Sequence, residues 1–406
     1  MVTRALPLVL LFASAWTSAG ETLYTQRWRN EARTGPGTYY GLTGTLNKGV
    51  AVTALKTQGD WVQFTVAPVT AWMAKSSLGP TKPQDGIMDA MSKLRQKFAP
   101  PAVNATAVAA VRGFALRYGR AKASDLNALG KIKTPFFTPD DYASFKNTEG
   151  GPKAAGKSLG GDFLTSYDPA MQEEGAGLGI ASKVASTSGL SDNRPLLRYL
   201  NMLTTLLAES SGAYGYPFKV YVTNSKQVNA LSVPGGYIFV SRPLIEACQS
   251  EAELAAVLAH EMTHVTRRHG LKELKAREVN VRADAAMDEL DAMAGEGPDS
   301  KAEAELTDFA DTAYDSVHKP RLQSYEEEAD RGAVLILARA GYDAGAVARM
   351  IDRVGAAVSK DAENPFGKSD YAKRRAAAEA VFKGEAGGAS GVAEESRFKK
   401  ALAGAK

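Results

Sequence analysis

Residues 250–265 read Ser-Glu-Ala-Glu-Leu-Ala-Ala-Val-Leu-Ala-His-Glu-Met-Thr-His-Val, and the reading of the rest of the chain starts there. Ser250 with Glu253 has the form of a capping box, in which hydroxyl and carboxylate satisfy the free amides of a helix start. His269-Gly270 offers an end. Between them Leu254, Val257, Leu258, Met262 and Val265 supply apolar content, so the spacing predicts a helix. His260 and His264 are four apart and project from one face, about one turn from each other. Two imidazoles so placed can share one Zn²⁺ at ~2.0–2.1 Å from each nitrogen. Glu261 follows the first of them and reaches a water beside the metal without itself being a ligand. The chain has 4 histidines in 406 residues, so this pattern is far from a chance event.

A third donor has to come from elsewhere. A ligand set with a histidine at position 270 is excluded by Gly270, and His269, one residue early, reads as a polar residue in the last helical turn. His318 is an outlying candidate without a motif around it. The run Ser324-Tyr-Glu-Glu-Glu-Ala-Asp330 is stronger. Ser324 and Glu327 again have capping-box form, opening a helix to about Ala340-Gly341. Glu326, Asp330, Ala333 and Leu337 share one stripe, while Glu327 and Glu328 lead towards Arg331 and Arg339 on a solvated face. An acidic helix start alone is what the helix dipole favours. Beside a two-histidine helix that lacks a third ligand, Glu326 becomes the candidate.

These segments together resemble the HtpX/CAAX-prenyl-protease-type (Ste24-like) family of zinc metallopeptidases, which are gluzincins. The matching blocks are Val228-Asn-Ala-Leu-Ser-Val-Pro-Gly-Gly-Tyr237, Glu253-Leu-Ala-Ala-Val-Leu-Ala-His-Glu-x-x-His264 and Glu326-x-Glu328-Ala329-Asp330, in family order. The resemblance implies an α+β, mostly helical gluzincin-type domain with one Zn²⁺ per chain held by His260, His264 and Glu326. It implies Glu261 as general base, Asp330 as the group orienting a ligand histidine, and protein or peptide substrates whose peptide bonds are hydrolysed. It also implies a strand edge at Asn229 and Ala230 that captures substrate by strand addition. By composition alone, Asn229 to Gly236 reads equally as an ordinary strand and turn. Arg374 or Arg375 stands where an oxyanion-stabilising arginine is expected. The chain departs from the family at Gln323-Ser324-Tyr325, where Ser-Arg is common, and at Asn364-Pro365, where a His-Pro pair is common. Integral-membrane members have several hydrophobic spans; this chain has none and resembles the soluble, exported branch, with a place in envelope protein quality control.

Ahead of this domain, Gly49 to Leu55 and Trp61 to Val66 alternate in hydrophobicity between turns at Gly35-Pro36-Gly37 and Gly59-Asp60. With Ala32 to Thr38, Gly44 to Gly49, Gly59-Asp60-Trp61-Val62 and Ala71-Trp72-Met73, the stretch resembles a bacterial SH3-like barrel. That resemblance implies binding of peptidoglycan or peptides, and a structural appendage is the plainer reading. The expected organisation is a signal peptide over 1–20, the SH3-like unit over 21–80 and a helical or linker region over 81–160. The metallopeptidase domain then spans 161–382, and a flexible tail 383–406. The stretch Gly150 to Gly156 reads as a hinge, and 271–320, charged and Ala-rich, as an insertion beside the site.

Arg4, the apolar run Ala5 to Ala13 and the small residues Ser18-Ala19-Gly20 form the three regions of an export signal, too short to span a bilayer. They predict a periplasmic or extracellular protein with no integral membrane segment. The net charge of +4 is spread along the chain without basic-aromatic clusters, which argues against nucleic acid as a partner. Cys248, the single cysteine, precludes an internal disulfide and reads as a buried small hydrophobe. The rival to an enzyme is a cell-wall or peptide-binding protein on an inactive, zinc-stabilised scaffold.

Overall fold

The structure, a computed structural model, describes residues 20–27, 29–83, 129, 136–154, 159, 163–164, 171–276, 321–360 and 369–404. The export segment, most of the 271–320 insertion with His318, and the Asn364-Pro365 pair lie outside the described residues.

Among the described residues, seven short strands form the first sheet: β1 (Thr22–Thr25), β2 (Asn30–Arg33), β3 (Leu42–Leu46), β4 (Ala51–Gln58), β5 (Trp61–Val66), β6 (Val69–Ala74) and β7 (Leu78–Gly79). Their order is β3-β2-β6-β5-β4-β1-β7, with antiparallel pairing throughout. Side chains alternate across a strand, and Val52, Ala54, Val62, Phe64, Ala71 and Met73 fill one small core. Trp61, Trp72 and Ala74 form a second cluster, against which Tyr214 of the following domain packs. An ion pair from Arg29 to Glu174, at 3.1 Å, crosses the same junction.

The second domain is helical around a three-stranded sheet, order β8-β10-β9. β8 (Lys219–Thr223) runs parallel to β10 (Tyr237–Ser241), and β9 (Ala230–Val233) pairs antiparallel with β10 at the edge. The Pro234-Gly235-Gly236 turn joins β9 to β10 with φ of +84° and +83° at its glycines, a backbone region open to glycine at little cost. A helix over Arg194–Ser210 begins at Asn193, whose side chain accepts from the Leu196 amide, and Pro195 sits in its first turn. The 250–265 segment forms a helix over Glu251–Thr266, here the histidine helix, and it is buried on every side from Glu251 to Val265. A helix apolar all round is a core helix, and its alanines let neighbours approach closely. One neighbour is the helix Gln323–Ala340, here the glutamate helix. At their crossing, a Cβ built on Gly332 would lie 2.3 Å from Thr263 Oγ1, so the two backbones approach only because residue 332 has no side chain.

Several expectations change. Ser250 caps the amide of Glu253, but the Glu253 carboxylate accepts from the Gln249 amide rather than from Ser250, so the box is displaced by one residue. The glutamate helix starts at Gln323 after Leu322, with no side-chain cap; Ser324 lies inside it. The histidine helix ends at Thr266, and His269 opens a new helix, His269–Ala276. Arg339 is buried and donates to the Leu159 carbonyl, so it is not on a solvated face. Within 81–160, Thr138 caps a helix over Pro139–Lys146 that buries Tyr142 and Phe145 in the main core, and Gly151 and Pro152 of the expected hinge are buried.

Residues 383–404 do not form a loose tail. They carry a helix over Glu395–Ala403, with Phe398 in the core. Arg397 pairs through Nε and Nη2 with Glu251, which also accepts from the hydroxyls of Tyr199 and Tyr342 at 2.9 and 2.5 Å. A Gly/Ala-rich composition hid one arginine and one phenylalanine that bind the segment down. Cys248 is buried, and burial pushes its thiol up to about 12, as a structural cysteine requires.

Gly332→Ala tests the helix crossing. The added methyl must displace Thr263, and the expected loss is about 1–3 kcal/mol of unfolding free energy, read by chemical denaturation.

Candidate metal centre

His260, His264 and Glu326 converge, each offering a ligand atom within 4.8 Å of the others. The Nε2 atoms of the histidines are 3.0 Å apart, and the Glu326 carboxylate oxygens lie 3.5 Å from His260 Nε2 and 3.4 Å from His264 Nε2. A tetrahedral ion with bonds of ~2.0–2.1 Å holds its ligand atoms roughly 3.4 Å apart, so the cluster has the size of one such ion. Its charge distribution fits as well. Burial opposes a charge on His260, but Asp330 and Glu326 outweigh it and raise its pKa to about 9. Burial, with Arg321 and His260 nearby, pushes His264 well below the ordinary histidine value. Burial works to raise Glu326, yet Arg374 and the two histidines hold it well below the usual carboxylate range. Two imidazoles and an anionic carboxylate around one point suit a divalent metal.

Each donor is held from behind. His260 Nδ1 lies 2.9 Å from Asp330 Oδ1, which leaves Nε2 to face the centre when Nδ1 carries the proton. Asp330 is fully buried and takes Arg374 Nε and Nη2 at 2.8 and 2.9 Å. The same guanidinium reaches Glu326 with Nη1 at 2.7 Å. Arg374 therefore fixes two carboxylates, and it also lines the cleft. Pulling it away would leave buried charges unpaired, at about 3–5 kcal/mol. Arg375 sits on the surface between Asp352 and Glu379 and takes no part.

Sequence reasoning missed the support of His264. Its Nδ1 lies 2.8 Å from Nδ1 of His269, and His269 Nε2 lies 3.0 Å from Glu328 Oε2. His269 is fully buried and stacked on Tyr325, with ring centroids 4.4 Å apart and 7° between planes. Burial lowers its pKa to about 4, so it is neutral near pH 7. With neutral rings, one consistent set of tautomers has His264 Nδ1–H donating to His269, and His269 Nε2–H donating to Glu328. Glu328 also accepts from Arg267 and belongs to the site's support, not to a solvated face. A signal was present: three of the 4 histidines fall between 260 and 269.

Glu261 lines the cleft beside His260 and His264, and its Oε2 accepts from Ser232 Oγ at 2.7 Å. Asn229 and Ala230 line the same cleft. The Ser241 amide donates to the Asn229 carbonyl, so alternate residues of β9, Ala230 and Ser232, turn their backbone groups away from β10. Arg321 Nη2 donates to the Ser232 carbonyl at 3.1 Å on that outer side. Leu244, Val257, Met350 and Val354 give the cleft an apolar wall. Glu327, by contrast, pairs with Lys373 away from the centre.

A buried helix bearing two histidines and an intervening glutamate, facing a glutamate on a second helix, defines a metallopeptidase domain. Residues 197–379 match peptidase family M48, and residues 32–79 match the bacterial SH3 domain; the chain thus carries an M48 peptidase domain behind an SH3 domain. HtpX/Ste24-type peptidases fall within that family. The chain is 30% identical over 166 residues to the beta-barrel assembly-enhancing protease of Escherichia coli O157:H7, covering 40% of this chain and 33% of that protein. The Yersinia pestis protein of the same name is 28% identical over 172 residues, covering 39% and 33%. The mitochondrial metalloendopeptidase OMA1 of Schizosaccharomyces pombe is 27% identical over 169 residues, covering 41% and 47%. The matched part thus spans about a third of the length of the bacterial relatives. Among the described residues, no helix is long and apolar enough to cross a membrane.

His269→Ala removes the partner of His264 and should weaken divalent-metal affinity about 10–100-fold while leaving the helical circular dichroism unchanged, as measured by competition with a metal indicator.

Proposed function

We propose that the chain is an exported, zinc-dependent metalloendopeptidase that hydrolyses peptide bonds of protein substrates in envelope protein quality control. The observation that carries this reading is the convergence of His260, His264 and Glu326 beside Glu261 in a cleft that β9 also lines. The donor set of two imidazoles and one carboxylate is that of a catalytic zinc, which keeps a fourth position for water or substrate. When bound, zinc polarises the scissile carbonyl and acidifies the attacking water.

The chain's own groups do the rest. His260, His264 and Glu326 hold the ion, with Asp330 and His269 fixing the two rings. Glu261 takes the proton of the attacking water and delivers it to the leaving amine. Ala230 presents its backbone donor and acceptor, and Ser232 its amide, to an extended substrate, which adds to β9 as a further strand beside the Arg321 contact to the Ser232 carbonyl. The apolar wall of Leu244, Val257, Met350 and Val354 receives a substrate side chain. The printed names of the relatives, a beta-barrel assembly-enhancing protease and a metalloendopeptidase, support both the chemistry and the envelope setting. The three regions of residues 1–20 support export. The SH3-like unit over 21–80 supplies a contact to peptidoglycan, for which a groove lined by Tyr39, Trp61 and Tyr214 is available.

Purified protein should contain one zinc and digest casein in a chelator-sensitive manner. Glu261→Gln should retain zinc and lose cleavage by at least about 100-fold, the scale of a general base; undiminished turnover removes Glu261 from the mechanism. Glu326→Ala should lose zinc by metal analysis and Glu327→Ala should keep it; the reverse result assigns the third ligand elsewhere.

A further inference from the structure

Ser232 has no part in the metal cluster, yet it touches the site in two ways. Its side chain is buried, 4% exposed, and its hydroxyl donates to Glu261 Oε2 at 2.7 Å. That is a well-formed O–H···O bond, short enough to fix the carboxylate oxygen. Its main chain lies in β9, at the edge of the sheet, with the carbonyl turned outward to Arg321. A glutamate on a helix has three rotatable side-chain bonds, and the histidine helix alone does not choose among its rotamers. The hydroxyl of Ser232 does choose: with Oε2 bound, Oε1 is left to accept a proton in the cleft.

We propose that Ser232 is a positioning residue for Glu261, pinning one carboxylate oxygen so that the other serves as the base, and tying that orientation to the strand edge on which substrate lies. The proposal rests on the metallopeptidase reading above. It adds that the base is registered against the substrate-binding strand rather than only against the helix that carries it. A shift of β9 as substrate pairs with it is then transmitted to the base through one hydrogen bond.

The test uses the full chain with Ser232→Ala, Ser232→Thr, Glu261→Ala and the Ser232→Ala/Glu261→Ala double variant. Zinc content, KM and kcat on a fluorogenic peptide, and the thermal midpoint of the chelator-treated protein are measured for each. Ser232→Ala should keep its zinc and a KM within about twofold, while kcat falls about tenfold, since misplacing a reacting group by fractions of an ångström acts on kcat. Ser232→Thr, which keeps the hydroxyl and suits a strand, should recover most of that loss. In the chelated protein, Ser232→Ala should lower the midpoint of the wild type and leave that of Glu261→Ala unchanged, because the partner is already gone. Unchanged kcat in Ser232→Ala, equal losses in the alanine and threonine variants, or additive midpoints would each overturn the proposal. The midpoints need no catalysis, so a wild type that binds zinc and cleaves nothing overturns the functional reading, and the role of Ser232 in it, by a separate result.

Discussion

A single buried carboxylate ties the two helices of the centre together. Asp330 receives His260 from the histidine helix and Arg374 from the helix Tyr371–Lys383, and Arg374 in turn holds Glu326. Burial alone would raise Asp330, and Arg374 with His260 keeps it below its ordinary value, so it remains an anion within the core. Three helices thus meet at one charge, and the ligand atoms take their places from it. The crossing that permits this is close because Gly332 lies against Thr263, a residue placed between the two histidines of the centre.

Much of this was legible because helix geometry converts sequence spacing directly into position. A spacing of four from His260 to His264, and of four from Glu326 to Asp330, fixes which groups share a face before any tertiary contact is known. The strands of the SH3 unit were readable for the same reason, through alternation between turn residues. What escaped the sequence depends on where a chain turns. His269 looked like the end of one helix, yet Arg268, at φ 55°, redirects the backbone and swings His269 under His264. Periodicity places Glu328 and Arg339 on a solvent face, although a helix surrounded by others has partners on that side too. The hydroxyl of Ser232 could not be matched with Glu261, 29 residues away, without knowing which face of β9 meets the histidine helix.

The SH3 unit is joined to the peptidase domain by packing and by charge. Tyr214 sits with Trp61 and Trp72, Arg29 pairs with Glu174, and Tyr216, from the same turn as Tyr214, donates to the Gly235 carbonyl at 2.7 Å. Gly235 belongs to the turn that ends β9. The contacts of the small domain therefore lead, through one loop, to the strand that borders the cleft. Its position matters to the shape of the cleft as well as to whatever ligand it holds.

The grip of Arg397 on Glu251 has a consequence in time. Glu251 is the first residue of the histidine helix, and its carboxylate has Arg397 as its cationic partner, 146 positions further along the chain. A chain made from its N-terminal end delivers His260, His264 and Glu326 before it delivers that arginine. In the folded packing, the remaining side-chain partners of Glu251 among the described residues are the hydroxyls of Tyr199 and Tyr342. Residues past the region matched to the peptidase family, which ends at 379, therefore complete the seating of the histidine helix.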